Sequence, residues 1–197
     1  CTLILKEVAV PLEYGIVVTD ENGKITRFLE KPSWGEVFSN LANTGIYILE
    51  PKALSYFEKN KKFDFSQDLF PLLMNEGNDL YGYTTEEYWC DVGDIGSYIQ
   101  SHIDILDKKV TVNLNETVDK KGIYIGKNVD IDPTAVITAP AVIGDNCKIG
   151  KNVQIQEYTV LGENVTVDDN ATIKRSIVWQ NSHIGPNTRM SAGILCY

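Results

Sequence analysis

Cut into sixes, residues 125–178 read IGKNVD IDPTAV ITAPAV IGDNCK IGKNVQ IQEYTV LGENVT VDDNAT IKRSIV. An aliphatic residue opens every segment: Ile125, Ile131, Ile137, Ile143, Ile149, Ile155, Leu161, Val167 and Ile173. Four positions later comes a small or β-branched residue: Val129, Ala135, Ala141, Cys147, Val153, Thr159, Val165, Ala171 and Ile177. Gly follows the aliphatic residue at 126, 144, 150 and 162. A period of six fits neither an α-helix, at 3.6, nor an alternating strand, at 2. It fits a chain that runs straight, turns and runs straight again. Three such sides close a triangular coil, and stacked coils place the aliphatic residues in an internal column, as in a hexapeptide parallel β-helix. After Ile173 the phase slips by one residue, and Val178, Ile184 and Met190 carry it on.

The composition excludes several functions. The chain has 197 residues and a net charge of −9, with no basic run. Nucleic acid is therefore not expected as a partner, because phosphate backbones need a cationic face. No apolar run is long enough to span a membrane, and no secretory leader is visible, so no membrane partner is expected. Cys1, Cys90, Cys147 and Cys196 are far apart and form no C-x-x-C pair. A reducing cytoplasm fits that usage, and Cys147, at an inward repeat position, reads as a small core residue.

Upstream of the repeat, the pattern is mixed α/β. Strands are expected at Leu3 to Val8, around Ile16–Val18, from Lys24 to Leu29, at Thr44 to Leu49 and at Leu80 to Thr85. Asn22-Gly23 would supply the positive φ angles of a tight hairpin. Lys52 to Phe57 reads as a short helix behind Pro51. A second helix, capped by Ser66, would run to about Asn75, with an irregular first turn at Pro71. Trp89 to Gly93 reads as a strand end turning a corner. Ile95 to Leu106 has helical spacing.

The residues able to carry chemistry are few. Glu30-Lys31-Pro32 puts an acid and a base at a strand end, where α/β domains commonly bind ligands; a solvated surface pair is the default. Asn43-Thr44-Gly45 reads first as a turn and second as a set of ligands. Asp91 follows two apolar residues, so it is expected to be partly buried. Such an Asp needs a backbone amide, a cation or a metal. His183 lies beside the register slip and reads as a corner residue, and His102 as a surface residue.

Glu13-Tyr14-Gly15, Phe28-Leu29-Glu30-Lys31-Pro32, Asn43-Thr44-Gly45-Ile46-Tyr47 and Trp89-Cys90-Asp91-Val92-Gly93-Asp94 occur in an order and spacing that resemble the sugar-1-phosphate nucleotidyltransferases. The stretch Phe63 to Pro71, FDFSQDLFP, is similar to the branch that uses mannose 1-phosphate and GTP. The resemblance implies an incomplete Rossmann-like α/β portion over 1–108, a linker over 109–122 and a left-handed parallel β-helix over 123–197. It implies a reaction in which sugar 1-phosphate and a nucleoside triphosphate give a nucleotide-sugar and pyrophosphate. Under it, Lys31 would bind the sugar phosphate as a catalytic cation. Glu30 would accept sugar hydroxyls, with Asn43, Thr44 and Gly45 as further sugar contacts. Asp91 would be a ligand for Mg²⁺.

The family's Gly-rich phosphate loop has no counterpart, since no G-x-G-T-R stretch occurs. Together with the initial Cys and the apolar end at Gly193–Tyr197, this leads to the expectation of an internal segment of a larger enzyme. Such a segment would be inactive alone and would associate through its β-helix ends or as a homo-oligomer. The alternatives are a glucose-1-phosphate uridylyl- or thymidylyltransferase, a non-catalytic regulatory or assembly subunit, and a β-helix acyltransferase using His183 as base.

Overall fold

The structure, a computed structural model, describes residues 1–112, 117–118 and 122–196. Much of the linker expected at 109–122 and the final Tyr197 of the β-helix lie outside the described residues. The chain divides into two compact units, Cys1–Asp91 and Val92–Tyr197.

The first unit is built on a five-stranded mixed sheet of β1 (Thr2–Glu7), β2 (Gly15–Thr19), β3 (Ile25–Glu30), β4 (Leu41–Ile48) and β5 (Tyr81–Thr84). The order is β3-β2-β4-β1-β5; β1 and β5 are parallel and the other pairs antiparallel. In β1 alternate residues take opposite faces, so Leu3 and Leu5 are fully buried. They pack with Val17, Ile25 and Leu80 against Leu69, Phe70 and Leu73 of the helical segment below. That segment opens as one wide turn, Phe65–Leu69, and continues as α1 (Phe70–Asn75). Pro71 can donate no backbone hydrogen bond, which accounts for the irregular start.

Three local expectations change. The helical segment is capped by Asp64, not Ser66: Asp64 Oδ1 accepts the Ser66 and Gln67 N–H groups, both at 2.8 Å. A carboxylate oxygen satisfies two of the orphan donors at once, and the Ser66 hydroxyl is left for other work. In the β2–β3 turn only Gly23 has positive φ, at 78°. Asp20 Oδ1 accepts the Asn22 and Lys24 N–H groups, which holds the preceding residues in an ordinary turn, with Gly23 as its bulge. Trp89 to Gly93 runs as irregular chain and not as a strand end.

In the second unit, α2 (Ile95–Leu106) starts at Asp94, whose side chain accepts the Ser97 N–H at 2.7 Å. The helix is joined to the solenoid by Trp179 Nε1, which donates to the Tyr98 hydroxyl at 3.1 Å. Tyr158 donates to Asp107, just past the helix, at 2.8 Å. His102, read as a surface residue, is half-buried edge-on to Tyr98, and its Nδ1 is 2.9 Å from the Tyr98 carbonyl oxygen. The helix spacing alone could not show that the solenoid covers this side.

The repeat forms the expected β-solenoid of about four turns, with three parallel sheets as its sides. Ile143 pairs with Leu161, Ile149 with Val167 and Ile155 with Ile173, each eighteen residues on. Inside lie Ile143, Cys147, Ile149, Val153, Ile155, Leu161, Val165, Val167, Ala171 and Ile173, all nearly inaccessible. Each fully buried aliphatic side chain in such a column contributes roughly 1.5–3 kcal/mol.

The phase slip is real and has a local cause. Val178 pairs with Leu161, and Leu195 with Val178, only seventeen residues on. The corner between Ile173 and Ile177 is one residue shorter than its counterpart between Ile155 and Val160. The small inward position there is Ser176, which is fully buried, and Ile177 pairs instead with Val160. Ile177 is therefore not the ninth member of the small-residue column.

The corners carry a signal that hydrophobic periodicity does not show. Asn128, Asn146, Asn164 and Asn181 have φ between 55° and 61°, as do Asn152, Asn170 and Asn187 at another corner. Asn tolerates this left-handed region better than other residues with a Cβ. Their amides also stack: Asn128 donates to Asn146, Asn146 to Asn164 and Asn164 to Asn181, at 3.0–3.2 Å. Glycine sits where coils approach most closely. A Cβ on Gly144 would lie 2.7 Å from the Gly162 carbonyl carbon and 2.8 Å from the Glu163 nitrogen. Gly144→Ala is expected to cost roughly 1–3 kcal/mol, because the obstacle is backbone. A urea midpoint unchanged by that substitution would show that the coils separate without penalty.

Candidate functional site

The four sequence motifs of the α/β unit meet through particular contacts. Gly15 of β2 pairs with Glu30 of β3, and the Lys31 N–H donates to the Tyr14 carbonyl at 3.0 Å. The Tyr14 ring packs edge-on to Trp89, with centroids 5.5 Å apart. Trp89 Nε1 donates to the Thr44 carbonyl at 3.2 Å. Residues 14–15, 30–31, 43–45 and 89 thus share one neighbourhood, although 75 positions separate the first from the last.

Glu30 sits at the end of β3, half-buried against Gly15. Its Oε2 is shielded from solvent and has no hydrogen-bond partner. A Cβ at position 15 would come within 2.6 Å of that oxygen and 2.8 Å of Phe28, so only glycine leaves room for the carboxyl. Burial raises the Glu30 carboxyl above the usual glutamate range, and the charge of Asp64 adds to the rise. The Ser66 hydroxyl and Lys31 oppose it.

Lys31 follows with its side chain exposed and φ at 44°, in the left-handed region. Such a backbone is uncommon for a residue with a side chain and marks a position held by its surroundings. Here the bond to Tyr14 and the buried Pro32 hold it. The result is a cation in solvent next to a partly desolvated carboxyl.

Asn43 is buried, with its whole amide engaged. Nδ2 donates to the Tyr47 hydroxyl at 2.9 Å and to Ser66 Oγ at 3.2 Å, while Oδ1 accepts the Gly45 N–H at 3.2 Å. Thr44 donates its hydroxyl to the Ile4 carbonyl at 2.8 Å. Gly45 has φ at 81° and open space where a Cβ would stand. These residues form a bulge in β4: Leu3 pairs with Tyr47 and Leu5 with Asn43, so four steps of β4 span two of β1. The backbone around Gly45 is therefore raised from the ladder and approachable.

Asp91 was expected to be partly buried and is exposed. Trp89 docks on Tyr14 and Thr44, but the chain then turns to solvent, so the apolar character of its neighbours does not carry over to Asp91. Among the described residues, no group of three or more His, Cys, Asp or Glu side chains is arranged to hold a metal ion. In the second unit His183 Nε2, on an exposed ring, lies 2.8 Å from Oδ2 of the half-buried Asp168. Ser66 and Tyr47, which tie Asn43 to its surroundings, were not singled out as site residues from sequence. Both lie in stretches quoted from the sequence, but only the folded contact shows that they hold Asn43.

A mixed sheet carrying these motifs is followed by a hexapeptide solenoid, and this arrangement places the chain in a class of two-part α/β and β-solenoid proteins. Residues 1–108 match the family model described as nucleotidyl transferase, and residues 118–196 match the GMPPB C-terminal domain. The chain belongs to the sugar-1-phosphate nucleotidyltransferase family. It is 33% identical over 193 residues to a UTP–glucose-1-phosphate uridylyltransferase of Synechocystis, covering 96% of this chain and 50% of that protein. It is 33% identical over 147 residues to a glucose-1-phosphate adenylyltransferase of Clostridioides difficile, covering 67% of this chain and 38% of the relative. The chain spans half the length of the first of these curated relatives and less of the second. No helix among the described residues is long and apolar enough to cross a membrane.

The state of Glu30 has a consequence for stability. Its folded-state value is raised, so the native chain keeps this proton to higher pH than the unfolded chain does. The stabilisation is complete below the ordinary value of 4.5 and is lost as pH rises through the raised value. Glu30→Gln should therefore gain on the wild type in urea midpoint as pH rises from 4 to 7. A difference that stays constant over that range would show that burial does not act on this carboxyl.

Proposed function

We propose that this chain forms the sugar-phosphate-binding portion of an enzyme that joins a hexose 1-phosphate to a nucleoside triphosphate, releasing pyrophosphate. The observation that carries the reading is the exposed Lys31 ammonium beside a carboxyl with few protein donors, Glu30. A phosphate needs a compact cation, and a sugar needs acceptors for its hydroxyls. Lys31 offers the first and Glu30 the second. Gly45, with no side chain and open space around it, lets the sugar approach the backbone of the β4 bulge. Thr44 and Asn43 hold that bulge in place through their own hydrogen bonds. The reacting phosphate oxygen must attack in line, and fixing the sugar phosphate at two points is what makes that geometry frequent.

Mg²⁺ belongs to this reading as the cofactor. Asp91 is an exposed hard oxygen donor, and a small hard cation commonly takes one or two carboxylates and completes its shell with phosphate oxygens and water. When bound, such an ion neutralises charge on the phosphates. We place the reaction in the cytoplasm, in keeping with four cysteines held as free thiols.

For the substrate pair, the Phe63–Pro71 stretch supports mannose 1-phosphate with GTP. The names of the curated relatives, which are glucose-1-phosphate uridylyl- and adenylyltransferases, support a second reading with glucose 1-phosphate. The 197 residues contain no G-x-G-T-R phosphate loop, so we propose that turnover needs a nucleotide-binding portion besides them. Pyrophosphate release should be absent when this chain alone receives Mg²⁺, GTP, UTP or ATP, and either sugar phosphate. The chain should still bind one sugar 1-phosphate in calorimetry, and Lys31→Ala should weaken that binding about tenfold, as for loss of a charge-assisted hydrogen bond. Turnover by the chain alone would refute the division of labour. Binding indifferent to Lys31 would refute the site.

A further inference from the structure

The loop between β3 and β4 crosses the end of the sheet where the site lies. β3 ends at Glu30 and β4 begins at Leu41, with β2 between them. Gly15 pairs with Glu30 and Ile16 with Ala42, so residues 31–40 pass the Gly15 end of β2 on their way. Both feet of the loop are fixed. At one, the Lys31 N–H donates to the Tyr14 carbonyl at 3.0 Å. At the other, the Val8 N–H donates to the Asn40 carbonyl at 3.0 Å and Asn40 Nδ2 donates to Glu7 at 2.7 Å. The middle is fixed as well. The Ser33 N–H and hydroxyl both donate to Glu36 Oε2, at 2.9 and 2.7 Å, and the Glu36 N–H donates to the Ser33 carbonyl at 2.9 Å. This reciprocal cap closes one 3₁₀ turn, Trp34–Glu36. Arg27 of β3 holds the returning limb, with its Cζ 3.7 Å from the centre of the Phe38 ring. The other apolar residues of the loop turn inward: Pro32 is buried, and Val37 and Phe38 are half-buried. Trp34, the largest of them, is 65% exposed.

We propose that Trp34 is a sugar-stacking residue: its indole face packs on the C–H face of the hexose whose phosphate Lys31 holds. This rests on the sugar-phosphate reading of the site. Trp is on average a well-buried residue, and here a capped turn with fixed ends presents one to solvent. Only three steps of chain separate Lys31 from Trp34, so their Cα atoms lie within about 10 Å of each other, a gap that a hexose 1-phosphate bridges. A pyranose has two kinds of surface, hydroxyls around its edge and C–H groups on its faces. Glu30 and the β4 bulge offer partners to the edge and Lys31 to the phosphate, but none of them serves the apolar face. A flat aromatic ring does. The indole adds nothing to recognition of the phosphate itself, so it favours a sugar phosphate over inorganic phosphate.

The test is calorimetry on the full chain with glucose 1-phosphate, mannose 1-phosphate and inorganic phosphate, comparing wild type with Trp34→Ala and Trp34→Phe. Trp34→Ala should weaken binding of the preferred sugar phosphate about fivefold, as for loss of an aromatic contact, and leave inorganic phosphate unchanged. Trp34→Phe, which keeps a ring, should recover most of the loss. Because the ring is exposed, both variants should keep the wild-type urea midpoint. In proton–nitrogen spectra the Trp34 indole N–H, assigned as the resonance missing from Trp34→Phe, should shift with the sugar phosphate and stay in place with inorganic phosphate. A sugar phosphate that binds Trp34→Ala as tightly as wild type overturns the stacking role and leaves the sugar-phosphate reading standing. A wild type that binds neither sugar phosphate more tightly than inorganic phosphate overturns both. An indole shifted equally by GTP or UTP alone assigns the ring to a base and overturns its contact with the sugar.

Discussion

Each inner rung of the solenoid has its backbone groups satisfied by the coil beside it, as in the bonds from the Gly144 N–H to Leu161 and from the Gly150 N–H to Val167. That requirement governs the second unit. Buried peptide groups must find partners, and here the partners are supplied only if successive coils keep nearly the same length and shape. The six-residue spacing, the left-handed asparagines and the glycines at close approaches are all consequences. Where one corner loses a residue, after Ile173, the ladder survives because the next coil shortens at the same corner. The stack tolerates a change that is repeated more readily than one that is not.

The first unit answers to a different constraint. Its sheet is ordinary, but its loops converge on a carboxyl that is partly out of water. Gly15 makes room for the Glu30 carboxyl, and Ser66 and Lys31 oppose the rise that burial imposes on it. Groups so held are rare in stable cores and common where a ligand completes the arrangement. On the proposed function, the same residues would suit a partner with a negative phosphate and several hydroxyls.

The solenoid was legible in the sequence because its period is regular and its interior apolar; nine aliphatic residues in phase leave little choice of fold. Details that depend on the length of a corner were not legible. Ile177 satisfied the spacing rule, yet Ser176 holds the inward place, because the chain shortens just before it. In the α/β unit the strands could be placed from alternation and breakers. The helix cap could not, because Asp64 and Ser66 are both good capping residues and only the fold decides which hydroxyl or carboxylate has other work. The motif residues Glu30, Lys31, Asn43, Thr44 and Gly45 were identifiable by resemblance, but Ser66 entered the sequence reading only as a helix cap. Asp91 shows the reverse limit: apolar neighbours in sequence need not be neighbours in space.

Lys31 carries two demands that pull against each other. Its φ of 44° is a conformation for which glycine is the natural residue, and its exposed position is one where a cation is wanted. Few amino acids meet both. Valine, isoleucine and threonine are excluded by their branching, and glycine supplies the backbone without the charge. Arginine keeps the charge but replaces a point with a plane. Any library built at this position should therefore return a very short list, and a glycine there would report how much of the residue's value lies in the bend of the chain and how much in the side chain it presents.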